Sequence, residues 1–414
     1  MGVGPVHGRG IHDTTVTQCK GSSMSDILHR EYPHVQFRKH WNLSDRALML
    51  LGQCEAYVEG IYNTPILPPQ YAELMQVALL TGAQATTAIE GNTLSDEDIR
   101  LIMTDEKLPP SKEYQEIEVR NILDAFNVLM REVITEGKDH LVSPDLLRRF
   151  HTMIGRNLGE HFAAIPGRLR EHDVVVGAYS CPDYRDVPVL IERLCAWLLQ
   201  EFHYGRKQQS FSEVVIQAVV THVYIAWIHP FGDGNGRTGR LVEFYLLLRG
   251  GNPDIASHIL SNHYNMTRPE YYRQLEQATA TRDLTSFIEY ALLGFRDGLV
   301  QTLGTIQRSQ LRTTWERFIY DAFDEIRGTV HKETLRRQRS LALELPFDRS
   351  FQITDVPNLS TPLARMYAST GDRTVRRDVE RLMKLSLVVR TEQGYATNTN
   401  ALRSMIAKRR SRLA

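Results

Sequence analysis

The segment WIHPFGDGNGRTGRLVEF, residues 227–244, combines a histidine, an aspartate, four glycines, an asparagine and two arginines. Gly234 and Gly236 allow the backbone to approach a ligand closely, because neither carries a β-carbon. Asn235 lies between them and can donate hydrogen bonds from its side chain. If a helix begins here, its first amides and its dipole attract an anion. The backbone of this loop therefore predicts an anion site.

The charged side chains of the same loop indicate which anion. Arg237 and Arg240 are three residues apart, so they lie on one side of a first helical turn and suit more than one phosphate. Asp233 is unfavourable beside phosphates unless it holds a hard cation, for which Mg²⁺ is the natural choice. His229 titrates near neutral pH and can take a proton from a hydroxyl group. Together they predict a site for a nucleoside triphosphate and Mg²⁺, with His229 serving the attacking nucleophile.

Two predicted helices hold this loop. The preceding segment, SEVVIQAVVTHVYIAWI, is rich in β-branched residues, but its seventeen residues contain no turn residue, and this length favours a buried helix over a strand. The segment 241–248 is followed by Gly250 and Gly251, a usual helix stop. Phe231 is expected to anchor the loop in the core. The second half of the loop is therefore predicted to be a helix N-terminus.

Other phosphate-binding motifs fit the loop less well. Residues 234–239 also satisfy G-x-G-x-x-G, the dinucleotide fingerprint, with Asp254 loosely at the acidic position. That motif requires a preceding strand and explains neither His229 nor Arg240. A Walker A loop needs Gly-Lys-Ser/Thr, which is absent. A purely structural glycine loop is the remaining alternative.

The chain as a whole is predicted to be mainly α-helical. One short strand and turn are predicted at Val174, Val175 and Val176, which run into Gly177. No internal repeat or low-complexity tract is present. Helices are predicted at 68–90, 113–136, 144–157, 187–203, 212–228, 236–249, 268–279 and 283–307.

Beyond about residue 308 the pattern changes. An amphipathic helix is predicted over 311–326, followed over 360–397 by a helix, a turn, a second helix and a hairpin. This order predicts a winged helix-turn-helix. Its second helix has an apolar face and, opposite it, a cationic face composed of Arg373, Arg377, Arg381 and Lys384.

Such a helix suits DNA recognition, and the tail AKRRSR adds positive charge. A winged helix that docks protein, with an ordinary solvated basic face, is the alternative, and acidic neighbours such as Asp378 and Glu380 favour it. Both interpretations stay open at the level of sequence.

The overall composition excludes several classes of protein. Of 414 residues, 42% are apolar and 24% are charged, and the formal net charge is zero, so no global field attracts nucleic acid or membranes. No apolar run is expected to span a membrane. The cysteines are scattered, which indicates reduced thiols in a cytoplasmic protein. They are Cys19, Cys54, Cys181 and Cys195.

The loop resembles a known family signature. Residues 229–240 match H-P-F-x-[D/E]-G-N-G-R-x-x-R, the Fic signature, at every fixed position. The commonest activity of Fic proteins is adenylylation (AMPylation) of a protein hydroxyl with ATP and Mg²⁺. The resemblance implies that His229 is the general base and Asp233 the metal ligand. It also implies that Gly234, Asn235 and Gly236 anchor the α-phosphate, while Arg237 and Arg240 hold the β- and γ-phosphates.

Two further segments are similar to parts of this family. Residues 167–177, GRLREHDVVVG, resemble its β-hairpin flap, which holds a target segment by strand addition. In TTAIEGN, Thr86, Glu90 and Gly91 match the inhibitory motif [S/T]-x-x-x-E-[G/N]. By local sequence alone Glu90 is a solvated helix-end glutamate; the resemblance implies that it pairs with Arg240 and denies this arginine to the γ-phosphate.

The resemblance implies a mainly α fold: a Fic helical bundle core with a short β-hairpin flap, plus the C-terminal winged helix-turn-helix domain. Residues 1–23 lack an apolar signal core and are set aside, because Met24 is expected to be the natural start. The predicted parts are a leader, 1–35, in part non-native; a Fic domain, 36–307, with an inhibitory helix at about 68–90; and a winged-helix domain with a basic tail, 308–414.

The function implied is that of an autoinhibited protein adenylyltransferase, a nucleotidyltransferase with ATP as co-substrate and Mg²⁺ as cofactor. The alternatives are a DNA-binding regulator whose Fic core senses nucleotide, and a Fic enzyme that removes AMP. The target protein and the type of hydroxyl are open at this stage. Self-modification and a homo-oligomer are both compatible with the sequence.

Overall fold

The computed structural model describes residues 28–202, 209–328, 330–368 and 370–403. The leader up to residue 27, with Cys19, and the basic tail AKRRSR lie outside these ranges. The described part is mainly helical, as predicted, with two short hairpins. Helices α1–α5 are Asp45–Tyr62, Pro68–Ala88, Asp96–Met103, Glu113–Met130 and Pro144–Ile154, and α6–α10 are Val187–Glu201, Phe211–Ile228, Asn235–Arg249, Ile259–Met266 and Arg268–Thr281. Helices α11–α15 are Thr285–Asp324, Lys332–Glu344, Thr361–Tyr367, Asp372–Lys384 and Asn400–Arg403.

The remaining elements are short. Strands β1 (Val175–Val176) and β2 (Tyr179–Ser180) pair antiparallel, as do β3 (Val388–Thr391) and β4 (Gly394–Thr397). A π-helical turn, Arg131–Thr135, extends α4. Four 3₁₀ turns occur at Pro110–Lys112, Gly159–His161, Asp254–Ala256 and Ile353–Asn358.

Helix α7 forms the centre of the larger core and packs against α8. Ser210 and Glu213 begin it with a reciprocal capping box. No membrane-spanning run was expected from the sequence, yet α7 is long and apolar enough to cross a membrane by length and composition. Because 78% of that window is buried within the protein, α7 has the character of a core helix. The cytoplasmic location and the absence of a membrane partner stay predictions.

Helix α2 lies beside α4 and α9 and ends close to the N-terminus of α8. Pro68 and Pro69 begin it, since proline is tolerated in a first helical turn. It ends at Ala88, two residues before the predicted end. Glu90 therefore lies in the turn that follows the helix, and Gly91, with φ +103°, completes this turn. A positive φ is a conformation that glycine adopts without strain.

The long helix α11 connects two cores. Ile306 is buried in the larger core and Trp315 in a smaller one. The prediction that one helix stops at 307 and another begins near 311 was wrong: no glycine or proline follows Gly304 within α11, so the helix continues. The change in composition near residue 308 marks the passage from one core to the next. The domain boundary placed there stays a prediction.

The smaller core joins α12, α13, α14 and the β3–β4 hairpin to the end of α11. Helix α14 buries Val375, Val379 and Leu382 on one face. Asp378 is also buried, where it accepts hydrogen bonds from Arg337 Nε (2.7 Å) and Tyr367 Oη (3.0 Å). This aspartate therefore does not offset the charge of the exposed face of α14. The winged-helix assignment stays a prediction.

Candidate active site

The glycine-rich loop runs from the end of α7 to the start of α8. His229 caps α7 with φ +49°, a left-handed conformation that is uncommon for a residue with a β-carbon. Phe231 is fully buried, as predicted for the anchor of the loop. Asn235 closes the loop on it: its Nδ2 donates to Phe231 O at 2.8 Å, and its Oδ1 accepts from Phe231 N at 2.9 Å. The Asn235 side chain therefore shapes the loop, and its role as a phosphate donor stays a prediction.

His229 is positioned to act as a base. Burial lowers the pKa of its imidazole, so the ring is neutral at neutral pH. Nδ1 lies 3.4 Å from the carbonyl oxygen of Ala226, which favours a proton on Nδ1 and a lone pair on Nε2. In this tautomer Nε2 can accept a proton from a hydroxyl group.

The start of α8 is the segment where an anion site was predicted from the sequence. Gly234 caps this helix with φ +74°. A β-carbon at Gly236 would collide with the Glu90 carboxylate and would lie 3.0 Å from Arg240 Nη1. The glycine at position 236 therefore lets a carboxylate, or another anion, approach the backbone next to an arginine.

Arg240 pairs with the residue that resembles the inhibitory glutamate. Its Nη2 lies 2.5 Å from Glu90 Oε1 and donates to the carbonyl oxygen of Thr86 at 2.9 Å. The Arg240 side chain is only 1% exposed, while that of Glu90 is 33% exposed. Within the described residues, the buried Nε and Nη1 of Arg240 have no hydrogen-bond partner. Both groups are buried behind the Glu90 contact, so an anion can reach them only if the Glu90 carboxylate moves away.

The electrostatics of this pair favour the charged state. Burial alone would raise the pKa of Glu90, but the charge and the hydrogen bond of Arg240 outweigh it, and the net shift is downward. Glu90 is therefore a carboxylate at neutral pH. It forms one of the strongest contacts available to a side chain, a charge-assisted hydrogen bond at a largely buried guanidinium.

Arg237 is held by two other carboxylates. Its Nη1 forms an ion pair with Glu118 on α4, and its Nη2 donates to Asp233 Oδ1 at 2.9 Å. Glu118 also accepts from Asn92 Nδ2 at 3.0 Å. Asn92 follows Glu90 by two residues, so the segment after α2 contacts both arginines, one directly and one through Glu118. Sequence reasoning missed Glu118, because nothing local to α4 marks it.

Asp233 fits a metal that takes most of its ligands from the substrate. Its Oδ2 accepts from the backbone amide of Ala163 at 3.2 Å, and its side chain is partly exposed. Among the described residues no group of three or more His, Cys, Asp or Glu could hold a metal ion by itself. A single carboxylate suits Mg²⁺, which keeps several waters and binds through one or two carboxylates plus phosphates.

A second histidine, His151, fixes the loop from α5. Its ring stacks on Phe231 at a centroid distance of 3.8 Å. Its Nδ1 accepts from the amide of Gly167 at 2.9 Å, so Nε2 carries the proton and donates to Asp233 O at 2.9 Å. His151 therefore links Asp233 to the segment that leads to β1. Sequence reasoning missed it, because a histidine on an apolar helix face carries no distinctive signal.

Arg170 joins the loop to the β1–β2 hairpin. Its Nε donates to His229 O at 2.7 Å, and its backbone amide donates to Pro230 O at 3.0 Å. Its two terminal nitrogens donate to the carbonyl oxygens of His172 and Pro182, which precede and follow the hairpin. This buried guanidinium fixes the hairpin relative to the proposed base. Sequence reasoning did not single it out.

The hairpin presents apolar side chains to solvent. Val175 is 65% exposed and Val176 is 44% exposed, while Val174 is partly buried. Val174 O accepts from Cys181 N at 3.1 Å, which extends the pairing by one residue. Each short strand has an outer edge that could pair with another chain. Cys181, like Cys54 and Cys195, is a free thiol.

Outside this site, α14 exposes part of the predicted cationic face. Arg373, Arg377 and Lys384 are exposed, and Arg381 is only partly so. The Nε of Arg381 is buried without a hydrogen-bond partner among the described residues. Of the predicted set, three side chains can therefore meet a partner freely.

Comparison with known proteins identifies the segment around the loop. Residues 141–247, from the start of α5 to near the end of α8, match the Fic/DOC family. The chain is 29% identical to protein adenylyltransferase fic-1 of Caenorhabditis elegans over 54% of its length and 41% of the relative's. It is 30% identical to protein adenylyltransferase Fic of Culex quinquefasciatus, over 57% of its length and 39% of the relative's. The matches thus span about two-fifths of these curated relatives.

The fold has a similar counterpart among solved structures. A Fic family protein from Desulfovibrio desulfuricans G20 aligns with a TM-score of 0.53 at 20% identity, over 86% of this chain and 94% of that one. A segment of Fic-1 from C. elegans aligns with a TM-score of 0.50 at 23% identity, over 64% and 73%. Residues 141–247 therefore match the Fic/DOC family, and the chain has a mainly helical fold similar to these two structures.

Proposed function

We propose that this chain is an autoinhibited protein adenylyltransferase, which transfers AMP from ATP to a hydroxyl side chain of a target protein. The observation that carries the proposal is the loop geometry: a neutral His229 precedes a helix N-terminus whose first two turns bear Arg237 and Arg240. The relatives named above are protein adenylyltransferases, which supports the same chemistry.

The reaction follows from the groups in the loop. The hydroxyl oxygen of the target attacks the α-phosphorus of ATP, the bond to the bridging oxygen of the β-phosphate breaks, and pyrophosphate leaves. The hydroxyl proton passes to Nε2 of His229. The ring is neutral, and its contact with the backbone is made through Nδ1, so the lone pair is on Nε2. The amides at the start of α8 stabilise the α-phosphate as its charge shifts.

Two arginines and a metal ion would bind the phosphates of ATP in this site. Arg237 and Arg240 would hold the β- and γ-phosphates, and they fix ATP so that its α-phosphorus faces His229. Mg²⁺ held by Asp233 would neutralise phosphate charge when bound. Asp233 must then exchange its contact with Arg237 for the cation, which a partly exposed carboxylate can do.

We attribute the inhibition to the turn after α2. Glu90 occupies Arg240, so a γ-phosphate must displace a carboxylate to reach the same guanidinium. Arg237 is engaged as well, by Glu118 and Asp233. ATP that binds without these arginines lacks the contacts that orient its α-phosphate. The chain therefore rests in a low-activity state that departure of the 90–92 turn would relieve.

A second function is favoured by the exposed face of α14. Arg373, Arg377 and Lys384 point away from the smaller core, opposite the buried Val375 and Val379. This arrangement suits duplex DNA, in which case the Fic domain would regulate a DNA-binding protein. A protein partner for the same face is the alternative. Removal of AMP by the Fic site is a further alternative to transfer.

Incubation with α-labelled ATP and Mg²⁺ in host lysate tests the main proposal. Wild type, Glu90→Gly and Glu90→Gly with His229→Ala are compared, and mass spectrometry identifies the labelled protein and side chain. Label on a serine, threonine or tyrosine with Glu90→Gly, and none when His229→Ala is added, supports transfer. Loss of AMP from a pre-labelled protein without new label would instead support removal.

A further inference from the structure

A cleft of about 670 Å³ opens at the base of the β1–β2 hairpin, on the side of α5. Its walls come from the exposed face of α5, the segment 166–171 before the hairpin, and residues 184–188 after it. We call it the arginine cleft, because five arginines line it against one acidic residue, Glu171. The arginines are Arg148, Arg149, Arg168, Arg170 and Arg185.

Two of these arginines are anchored yet still available. Arg185 contacts the buried Asp183 through Nε at 2.9 Å and Nη2 at 2.7 Å, but its side chain remains 51% exposed. Arg149 pairs with the largely buried Glu132 at 2.5 Å and is partly exposed. A guanidinium has five N–H donors, so each retains donors for a second anion. Because their positions are fixed in advance, little side-chain entropy is lost on binding.

The other two accessible arginines have weaker attachments. The guanidinium of exposed Arg148 makes no hydrogen bond or ion pair within the part of the chain that the structure describes. Arg168 pairs with Glu171 at 2.6 Å, but both side chains are more than half exposed. An exposed pair of this kind contributes little and exchanges readily. An incoming carboxylate can therefore replace Glu171.

Arg170 connects the cleft with the proposed active site, because it lines the cleft and its guanidinium contacts His229 O and both ends of the hairpin. The hairpin joins the two segments that line the cleft, 166–171 and 184–188, so a polypeptide paired with its exposed edge would lie close to the cleft. The cleft also has an apolar lining, which comes from Pro166, Tyr184 and Pro188.

We propose that the arginine cleft binds an acidic segment of the target protein, close in sequence to the hydroxyl that receives AMP. This inference rests on the proposed function and specifies its substrate class. A protein segment fits better than a nucleic acid, because a strand edge and apolar walls adjoin the arginines. The four accessible arginines raise the affinity of carboxylates, while the chain as a whole, with zero net charge, does not attract them.

Binding is tested first without ATP, on the full chain. The probes are a short fluorescein-labelled peptide in which glutamates flank one serine, the same peptide with glutamine for glutamate, and a single-stranded oligonucleotide. Fluorescence anisotropy at low and high salt gives the affinities. The test variant is Arg148→Glu with Arg168→Glu, and the matched control is Arg46→Glu, which changes an exposed arginine of α1 far from the cleft in sequence.

The expected result is preference for the glutamate peptide, weaker binding in high salt, and a loss of about tenfold or more in the double variant but not in Arg46→Glu. Equal binding of the glutamine peptide overturns the proposal. Tighter binding of the oligonucleotide through the same two arginines also overturns it, in favour of nucleic acid.

A second measurement separates this inference from the proposed function. The Glu90→Gly chain is given labelled ATP and both peptides. AMP transfer that favours the glutamate peptide, and loses this preference in the double variant, supports both proposals. Transfer without preference overturns the cleft alone. Absence of all transfer, to peptides and lysate proteins alike, overturns the proposed function, while salt-sensitive peptide binding would still establish the cleft.

Discussion

Glu90 Oε1 lies 2.5 Å from Arg240 Nη2, and the Arg240 side chain is almost completely buried. The two residues are 150 positions apart, so the contact depends on the packing of α2 beside α8. Removal of the carboxylate would leave a buried guanidinium with three of its nitrogens available. A polyanion such as a triphosphate is a natural replacement.

His229→Ala should abolish AMP transfer and leave ATP binding nearly unchanged. In the proposed mechanism the imidazole acts on the hydroxyl of the target, whereas the start of α8 and the two arginines hold the phosphates. Transfer is measured with labelled ATP in the Glu90→Gly background, and ATP affinity by calorimetry. A near-normal rate of transfer in His229→Ala would remove the histidine from the role of base.

The pH dependence of transfer should have one acid limb set by His229. Burial lowers the pKa of this imidazole below its ordinary value of 6.5, and the neutral ring is the active form in the proposed mechanism. Activity should therefore be steady from pH 8 to 7 and fall only as the pH drops through the lowered pKa. A profile of initial rates for Glu90→Gly checks this. A midpoint above pH 7 would contradict the assignment.

Asp233→Asn should lose most of the transfer activity, because an amide holds Mg²⁺ far less well than a carboxylate. In the parent Glu90→Gly chain, excess EDTA should stop labelling, and added Mg²⁺ should restore it. The same substitution removes one partner of Arg237, so thermal unfolding is measured alongside as a control for folding. Labelling that persists in EDTA would show that no metal is needed.

If α14 contacts DNA, the double variant Arg373→Ala with Arg377→Ala should bind duplex DNA more weakly. The slope of log K against log salt should also fall, by about one for each DNA phosphate that the variant no longer binds. These two are chosen because Arg381 is partly buried. The matched control is Arg46→Ala on α1. Should the unaltered chain show no salt-dependent binding to duplex DNA, a protein partner for α14 becomes the better interpretation.

The parts predictable from sequence are those fixed by local pattern. The length of α7 without a turn residue indicated a helix, and the loop after it was expected to lead into a helix N-terminus, which α8 provides. The anion site at this N-terminus stays a prediction. In contrast, the partners Arg237–Glu118 and Arg170–His229 are separated by 119 and 59 residues. No single-sequence pattern links such pairs, since their proximity depends on how whole helices pack.

The helix boundary in α11 was predicted wrongly for the same reason, since a single sequence does not show which core a helix faces. The apolar pattern changes near residue 308, which suggested a boundary between two helices. The backbone there has no breaking residue after Gly304, and the change only reflects which core the helix faces. A change in composition can therefore mark the passage of one helix from one core to the next, and it is not by itself evidence that the helix ends.

The most direct test of autoinhibition compares AMP transfer by wild type, Glu90→Asp, Glu90→Gly and Glu90→Gly with Arg240→Ala, using labelled ATP and a competent target. A hydrogen-bonded charge pair at a largely buried arginine contributes about 2–3 kcal/mol, so its loss should raise transfer by roughly 30- to 150-fold. Glu90→Asp, one methylene shorter, should lie between wild type and Glu90→Gly. Arg240→Ala should cancel the gain, because it removes the cation that the mutation frees. If Glu90→Gly transfers AMP no faster than wild type, the contact with Arg240 does not restrain the enzyme and the account of autoinhibition is wrong.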